Sequence, residues 1–210
     1  MNPIIQKIKE QKIVPLFYND SFETSKDIVK TLYEAGIRVI EYTNRGEKAL
    51  ENFRQLKEIA TTEFPELLLG IGTIKNTNEL DSYADIKADV IITPVISEEL
   101  VKHSIARNIL LIPGCFTPSE VNIAYQNKLP MVKIFPADAV GKNYIKSIKP
   151  VFPGMEFMPT GGVSAEVEDI KDWLNNGAIA VGQGSALIKN DSSLEDLKLK
   201  VQTFINHLNS

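Results

Sequence analysis

The chain has 210 residues, a formal net charge of −4 and a single cysteine, Cys115. The acidic balance argues against a nucleic-acid partner, and one cysteine excludes an intrachain disulfide. No apolar run approaches the roughly 20 residues that a membrane span requires, and the N-terminus lacks the apolar segment of a signal peptide. We therefore expect a cytoplasmic protein without a membrane partner, folded as one domain over residues 1–210.

Eight short apolar runs recur along the chain, with longer amphipathic segments between them. Each run is nearly continuous in hydrophobicity, which is typical of parallel strands that are buried on both faces. The predicted strands are 13–18, 37–42, 67–71, 90–93, 109–112, 131–135, 156–159 and 179–181.

The segments between these runs have helical periodicity. In segment 25–35, Ile28, Val29 and Leu32 fall on one face, and Gly36 follows as a stop signal. Near Thr117, a proline at the first helical position and a glutamate at the third indicate a helix start. Further helices are predicted over 46–62, 164–175 and 194–208, and an extra short helix over 1–11 precedes the first strand.

Eight strands, each followed by a helical or turn segment, predict an α/β protein with a single (β/α)8 TIM barrel and a short extra N-terminal helix. A doubly wound open sheet is the alternative. No G-x-G-x-x-G motif follows the first strand, which weakens that alternative for dinucleotide binding.

Lys133 lies inside an otherwise apolar predicted strand. Alternation along the strand puts it on the same face as Met131 and Phe135. A lysine at a strand end could simply extend to solvent or pair with a carboxylate. A desolvated lysine instead has a lowered pKa, and its neutral amine can form a Schiff base with a carbonyl compound.

Glu41 falls near the C-terminal end of the second predicted strand, where active sites of this barrel collect. It could form a structural ion pair with Lys133 or Arg45. In a partly dry pocket it could also act as a general acid and base, because burial raises the pKa of a carboxyl group. The two interpretations are compatible.

Glycine-rich turns follow the seventh and eighth predicted strands. Barrels of this type often bind phosphate with these two loops, through backbone N–H groups that glycine leaves accessible. Ordinary strand-to-helix turns also favour Gly and Ser. The candidate phosphate ligands are Gly161, Gly162, Gly182, Gly184 and Ser185. No cluster of metal-ligand residues is evident, so no metal is expected.

Six motifs together resemble the 2-keto-3-deoxy-6-phosphogluconate aldolase family, which includes bifunctional enzymes that also cleave 4-hydroxy-2-oxoglutarate. They are EYTNR at 41–45, GIGT at 70–73, PGCFTPSE at 113–120, VKIFPA at 132–137, PTGG at 159–162 and GQGS at 182–185. The resemblance extends over most of the chain.

The resemblance implies a homotrimer of barrels that needs no cofactor or metal and acts on a small 2-keto acid or phosphosugar. It implies that Lys133 is the Schiff-base lysine and Glu41 the proton shuttle. It further assigns Arg45, Thr73 and Thr160 to the substrate carboxylate, Pro94 and Phe135 to the pocket wall, and the five candidate phosphate ligands to the phosphate. The expected products are pyruvate and glyceraldehyde 3-phosphate, or pyruvate and glyoxylate from the second substrate.

The chain departs from the family pattern at residues that the resemblance places around the entrance of the substrate pocket. It has NRG at 44–46 and PV at 94–95, where many members have LRT and PG. The preferred aldehyde therefore stays open. Two rival functions also stay open: a phosphosugar epimerase or isomerase with Glu41 as its base, and a phosphosugar-binding protein without catalytic activity.

Overall fold

The structure is a computed structural model that describes residues 2–189 and 192–208. Strands and helices alternate along nearly the whole described chain. The strands are β1 (Ile13–Phe17), β2 (Val39–Thr43), β3 (Leu68–Gly72), β4 (Ile91–Ile92), β5 (Leu111–Ile112), β6 (Gly114–Cys115), β7 (Met131–Ile134), β8 (Glu156–Pro159) and β9 (Val181–Gln183). The helices are α1 (Pro3–Gln11), α2 (Phe22–Glu34), α3 (Ala49–Glu63), α4 (Thr77–Asp85), α5 (Glu98–Ala106), α6 (Pro118–Gln126), α7 (Ala137–Val140), α8 (Lys142–Ile148), α9 (Val167–Asn175) and α10 (Leu194–Leu208).

All the paired strands are parallel, which confirms the predicted α/β class. Six strands form one sheet in the order β5-β4-β3-β2-β1-β9, and three form a second sheet in the order β6-β7-β8. At one junction, an isolated parallel bridge joins Thr160, just after β8, to Gly182 in β9. At the other, Pro113 alone separates β5 from β6, and its carbonyl accepts a hydrogen bond from Lys133 N–H at 2.8 Å.

Two apolar clusters lie on opposite faces of the strands. The larger one packs strand residues such as Ile40, Val132 and Ile134 against the helices. The smaller one gathers Val39, Met131 and other strand residues of the opposite face with Ile5 and Ile8 of α1. Alternation along β2 and β7 therefore directs Glu41 and Lys133 to the face of Val39 and Met131, away from the helix layer.

Local signals explain most helix starts. The side chain of Ser21 caps α2, and Thr117 and Glu120 form a reciprocal capping box at α6, as predicted from the sequence. The helix α1 corresponds to the predicted N-terminal helix, apart from Met1, which lies outside the described residues. Among the described residues, no helix is long and apolar enough to cross a membrane.

Several details differ from the sequence prediction. The last predicted strand, 179–181, is observed two residues later as β9, and α4 and α5 were not among the predicted helices. The fifth strand continues past Pro113 as the separate strand β6, because proline lacks the N–H that a continuous ladder requires. The strand β7 ends at Ile134, one residue early, and Pro136 follows shortly after. The short helices α7 and α8 were not predicted, since neither is long enough to show a clear helical period.

Candidate active site

Lys133 and Glu41 face each other from β7 and β2. The Lys133 Nζ atom lies 3.6 Å from Glu41 Oε1, and the side chains are only 6% and 1% exposed. In strand register, Glu41 lies between Leu16 and Gly70, and Lys133 lies between Gly114 and Met158. The predicted buried amine and carboxyl group are therefore present in one place.

Burial dominates the electrostatics of Glu41. It raises the pKa of the carboxyl group above its ordinary value, although the nearby charges of Lys133 and Arg45 act in the opposite direction. Neither carboxyl oxygen has a hydrogen-bond partner among residues 2–189 and 192–208, and 3.6 Å to the amine is too long for a good hydrogen bond. The group is thus available to exchange a proton with a molecule beside it.

Gly72 makes room for this carboxyl group. A Cβ atom on Gly72 would lie 1.8 Å from Glu41 Oε1 and 2.6 Å from its Cδ atom. Any side chain on this strand position would therefore displace the Glu41 carboxyl group. This close approach accounts for the second glycine of the GIGT motif.

A cavity of about 300 Å³ opens beside Lys133. Lys133 and residues of both predicted glycine turns line this cavity. Its lining includes nine of the predicted site residues: Arg45, Lys133, Phe135, Thr160, Gly161, Gly162, Gly182, Gly184 and Ser185. The ring centroid of Phe135 is 5.2 Å from Lys133 Nζ, so an aromatic face adjoins the amine.

The two glycine turns present unused hydrogen-bond donors to this cavity. Gly161 and Gly162 adopt φ angles of +89° and +73°, in the left-handed region that favours glycine. In the described part of the chain, the N–H groups of Gly162, Ser185 and Ala186 donate to no protein acceptor. Free N–H groups on neighbouring turns form a concave anion-binding surface of the kind that holds phosphates.

Thr160 and Gly182 contact each other at the junction of the two turns. A Cβ atom on Gly182 would lie 2.3 Å from Thr160 Oγ1, so the glycine leaves space for this hydroxyl group. Thr160 is 4% exposed, and its hydroxyl oxygen lacks a hydrogen-bond partner within the described ranges. It can therefore donate a hydrogen bond to an acceptor in the cavity.

Arg45 supplies positive charge at the rim of the cavity. It is exposed, and its guanidinium group forms no hydrogen bond or ion pair with any residue that the structure describes. A guanidinium group with free planar donors is suited to a carboxylate or a phosphate.

Comparison with known proteins identifies the family. The family profile described as "Aldolase: KDPG and KHG aldolase" matches residues 4–201. The chain belongs to this family. The abbreviations stand for the two substrates named above, 2-keto-3-deoxy-6-phosphogluconate (KDPG) and 4-hydroxy-2-oxoglutarate (KHG).

Individual relatives agree with this assignment. The KHG/KDPG aldolase of Escherichia coli K12 is 32% identical over 181 residues, which is 86% of this chain and 82% of the relative. A crystal structure of the KDPG aldolase of Zymomonas mobilis ZM4 with 3-phosphoglycerate superposes with a TM-score of 0.85 at 25% identity, covering 96% and 94% of the two chains. The KDPG aldolase of Legionella pneumophila, with pyruvate captured as a covalent carbinolamine, gives a TM-score of 0.83 at 25% identity, covering 94% and 96%.

Three predicted site residues of this aldolase do not line the cavity: Glu41, which lies behind Lys133 at 3.6 Å from its Nζ atom, Thr73 and Pro94. Thr73 directly follows β3 and has a φ angle of +64°, and Pro94 follows β4. Both lie at the carboxyl ends of their strands. The Pro94 carbonyl carbon lies 2.5 Å from where a Gly114 Cβ atom would be, so Pro94 packs on the neighbouring strand.

The sequence interpretation missed several residues around the aldolase cavity. Leu16, Val163 and Ser164 line it, and Gly72 accommodates Glu41. A glycine inside a buried strand often marks a close approach by another group, so Gly72 carried a readable signal. Leu16 looked like an ordinary core residue and carried none.

Cys115 is buried, and its thiol lies outside the cavity lining. Burial raises the pKa of the thiol, which disfavours the reactive thiolate. Among the described residues, no group of three or more His, Cys, Asp or Glu side chains could hold a metal ion.

Proposed function

We propose that this chain is a class I aldolase that cleaves 2-keto-3-deoxy-6-phosphogluconate to pyruvate and glyceraldehyde 3-phosphate through a Schiff base on Lys133. The buried pair of Lys133 and Glu41 carries this proposal. Lys133 lies 3.6 Å from Glu41 and also lines the cavity. Two glycine turns with free N–H donors line the same cavity. The same reaction applies to 4-hydroxy-2-oxoglutarate, giving pyruvate and glyoxylate, because both substrates share the 2-keto acid and the C4 hydroxyl group.

The first chemical stage is imine formation. The lone pair of Lys133 Nζ attacks the C2 carbonyl carbon, a proton passes from the nitrogen to the C2 oxygen, and the resulting carbinolamine loses water to give an iminium ion. Glu41 donates the proton that leaves with the hydroxyl group, and burial favours this protonated form because it raises the pKa of the carboxyl group.

The second stage is cleavage of the C3–C4 bond. The carboxylate of Glu41, now deprotonated, accepts the proton of the C4 hydroxyl group as the C4–O bond becomes a carbonyl. The electron pair of the C3–C4 bond moves to the iminium, which becomes an enamine, and the aldehyde leaves. Protonation of the enamine at C3 and hydrolysis of the imine release pyruvate and restore the lysine.

The rest of the site binds the two ends of the substrate. We assign the substrate carboxylate to Arg45, with Thr160 and Thr73, and the phosphate to Gly161, Gly162, Gly182, Gly184 and Ser185. Pro94 and Phe135 form parts of the pocket wall in this proposal. Contacts at the phosphate contribute binding energy far from the breaking bond and orient C2 toward the amine.

We also propose that the two sheets form one closed (β/α)8 barrel and one domain. The bridge from Thr160 to Gly182 supports contact at one junction, and the short spacing across Pro113 supports it at the other. The approach of Glu41 in one sheet to Lys133 in the other supports an enclosed interior.

A metal-independent reaction and a homotrimer complete the proposal. The iminium ion takes the electron pair of the breaking bond, which is the role that a metal ion has in other aldolases. Activity should therefore persist in excess EDTA, and sedimentation equilibrium should give three times the mass of the chain. Loss of activity in EDTA, or a monomer, would contradict these two points separately.

The decisive assay measures both products. With 2-keto-3-deoxy-6-phosphogluconate, pyruvate and glyceraldehyde 3-phosphate should be released in equal amounts, and Lys133→Met should release neither. An epimerase or isomerase would convert the substrate without releasing pyruvate. A silent binding protein would show a ligand-dependent rise in Tm and no turnover.

A further inference from the structure

Gln183 is a buried polar residue that the proposed chemistry does not use. It ends β9 between Gly182 and Gly184, is fully buried, and is absent from the lining of the active-site cavity. Its Nε2 atom donates a hydrogen bond to the Ser164 carbonyl oxygen at 3.0 Å, across 19 positions of the chain. The side chain thus connects the turn after β9 to the turn after β8.

Stabilisation of the fold does not explain why an amide occupies position 183. The Gln183 Oε1 atom is buried and has no hydrogen-bond partner among residues 2–189 and 192–208. An unpaired buried acceptor is unfavourable for folding, so an apolar side chain of the same size would serve the core at least as well. The orientation of the amide follows from its partner, because a carbonyl oxygen can only accept.

Apart from the backbone bridge between Thr160 and Gly182 at its start, the turn after β8 is otherwise fixed from other directions. The Ala137 and Asp138 N–H groups donate to the carbonyls of Thr160 and Gly161 at 3.0 and 3.2 Å. The Ser164 N–H group donates to Asp169 at 2.9 Å. Within the described residues, the Gln183 amide is the side-chain hydrogen bond that reaches this turn from β9.

We propose that Gln183 is a positioning residue that sets the distance between the two glycine turns, so that N–H groups of both can bind one phosphate. This inference rests on the proposed function, because it concerns the assigned phosphate subsite. Two flexible glycines in succession leave the turn free to shift, and the bond at its far end limits that shift. Gln183 acts through the backbone and touches no substrate.

The test distinguishes an effect on phosphate binding from an effect on the chemistry at Lys133. Gln183→Met keeps the volume and removes the donor. KM for 2-keto-3-deoxy-6-phosphogluconate should rise about five- to tenfold, the effect of losing roughly one hydrogen bond, while kcat is retained. For the unphosphorylated 2-keto-3-deoxygluconate, kcat/KM should not change. An equal loss for both substrates, or no loss for either, would overturn the proposal.

Gln11 offers a matched control at the other end of the strands. Its Nε2 atom donates to the carbonyls of Ile13 and Val39, and its Oε1 atom accepts from the Arg38 and Val39 N–H groups. Because these bonds hold the N-terminal ends of β1 and β2 and none reaches a glycine turn, Gln11→Met should lower Tm without changing the ratio of kcat/KM for the two substrates. If Gln11→Met changes the ratio of kcat/KM for the two substrates as much as Gln183→Met does, the effect of Gln183→Met is a general loss of structure.

Inorganic phosphate provides a second readout that does not depend on turnover. Wild-type protein should show a phosphate-dependent rise in Tm, and Gln183→Met should need about five- to tenfold more phosphate for the same rise. Gln183→Asn, whose amide is one methylene too short to reach Ser164, replaces the methionine variant if that variant does not fold. If wild-type protein binds phosphate but releases no pyruvate, the proposed aldolase function is wrong, while the positioning role of Gln183 at a phosphate site still stands. If both variants bind phosphate like wild type, the positioning role fails.

Discussion

Because Gly72 lies against the Glu41 carboxyl group, we predict that one added methyl group at position 72 impairs catalysis. In Gly72→Ala, the new Cβ atom would start 1.8 Å from Glu41 Oε1. Carbon and oxygen atoms in ordinary contact are about 3.5 Å apart, so the carboxyl group must move by roughly 1.7 Å. It cannot do so and keep its position relative to Lys133 Nζ.

The cost can be estimated from this displacement. A misplacement of about 1 Å in a catalytic group can reduce the rate by about 10²-fold, so Gly72→Ala should lower kcat by at least about 10²-fold. The added methyl group should also destabilise the fold by about 1–3 kcal/mol, or roughly 2–4 °C in Tm per kcal/mol. A coupled assay of pyruvate release gives the rate, and a thermal melt gives the stability.

Gly70→Ala is the matched control in the same strand. Its Cβ atom would lie 2.5 Å from Val90 Cγ1, a steric overlap that does not involve the carboxyl group. This variant should lose stability and keep most of its kcat. If Gly72→Ala loses no more activity than Gly70→Ala, the reasoning about Glu41 is refuted.

Three further predictions concern the Glu41 carboxyl group and the charge beside it. Glu41→Gln keeps the shape but cannot shuttle a proton, so turnover should fall about 10²- to 10⁴-fold, and a loss below about tenfold would reduce Glu41 to a structural partner. Because the proposed mechanism begins with protonated Glu41, kcat/KM should fall on the alkaline side as this carboxyl group ionises, and burial should place that limb above about 4.3, the ordinary glutamate pKa. The Arg45 charge lowers the pKa of Glu41, so Arg45→Met should move that limb to higher pH, whereas the exposed Arg54→Met should not; equal profiles would contradict the assignment.

The strand and helix order could be predicted from the sequence because each signal was local. Buried parallel strands appear as apolar runs, and the Thr117 capping box is visible as a four-residue pattern. The break at Pro113, the nine-residue helices α4 and α5, and the shorter helices α7 and α8 were missed. Two-residue strands and helices of four to seven residues are too short to show a period.

The central pair was predictable because both members break a local rule. A lysine and a glutamate inside apolar strands are costly unless something uses them, and the structure brings these two within 3.6 Å. Gln183 shows the limit of such reasoning. Its hydrogen bond to Ser164 depends on how two turns meet in space, which no local pattern specifies.

The most direct test of the central claim is to trap the imine. Incubation with pyruvate and borohydride should reduce the Schiff base to a stable secondary amine, and peptide mass spectrometry should find pyruvate attached at Lys133. Lys133→Met treated in the same way should remain unmodified. An unmodified wild-type protein, or an adduct on a different lysine, would contradict the account.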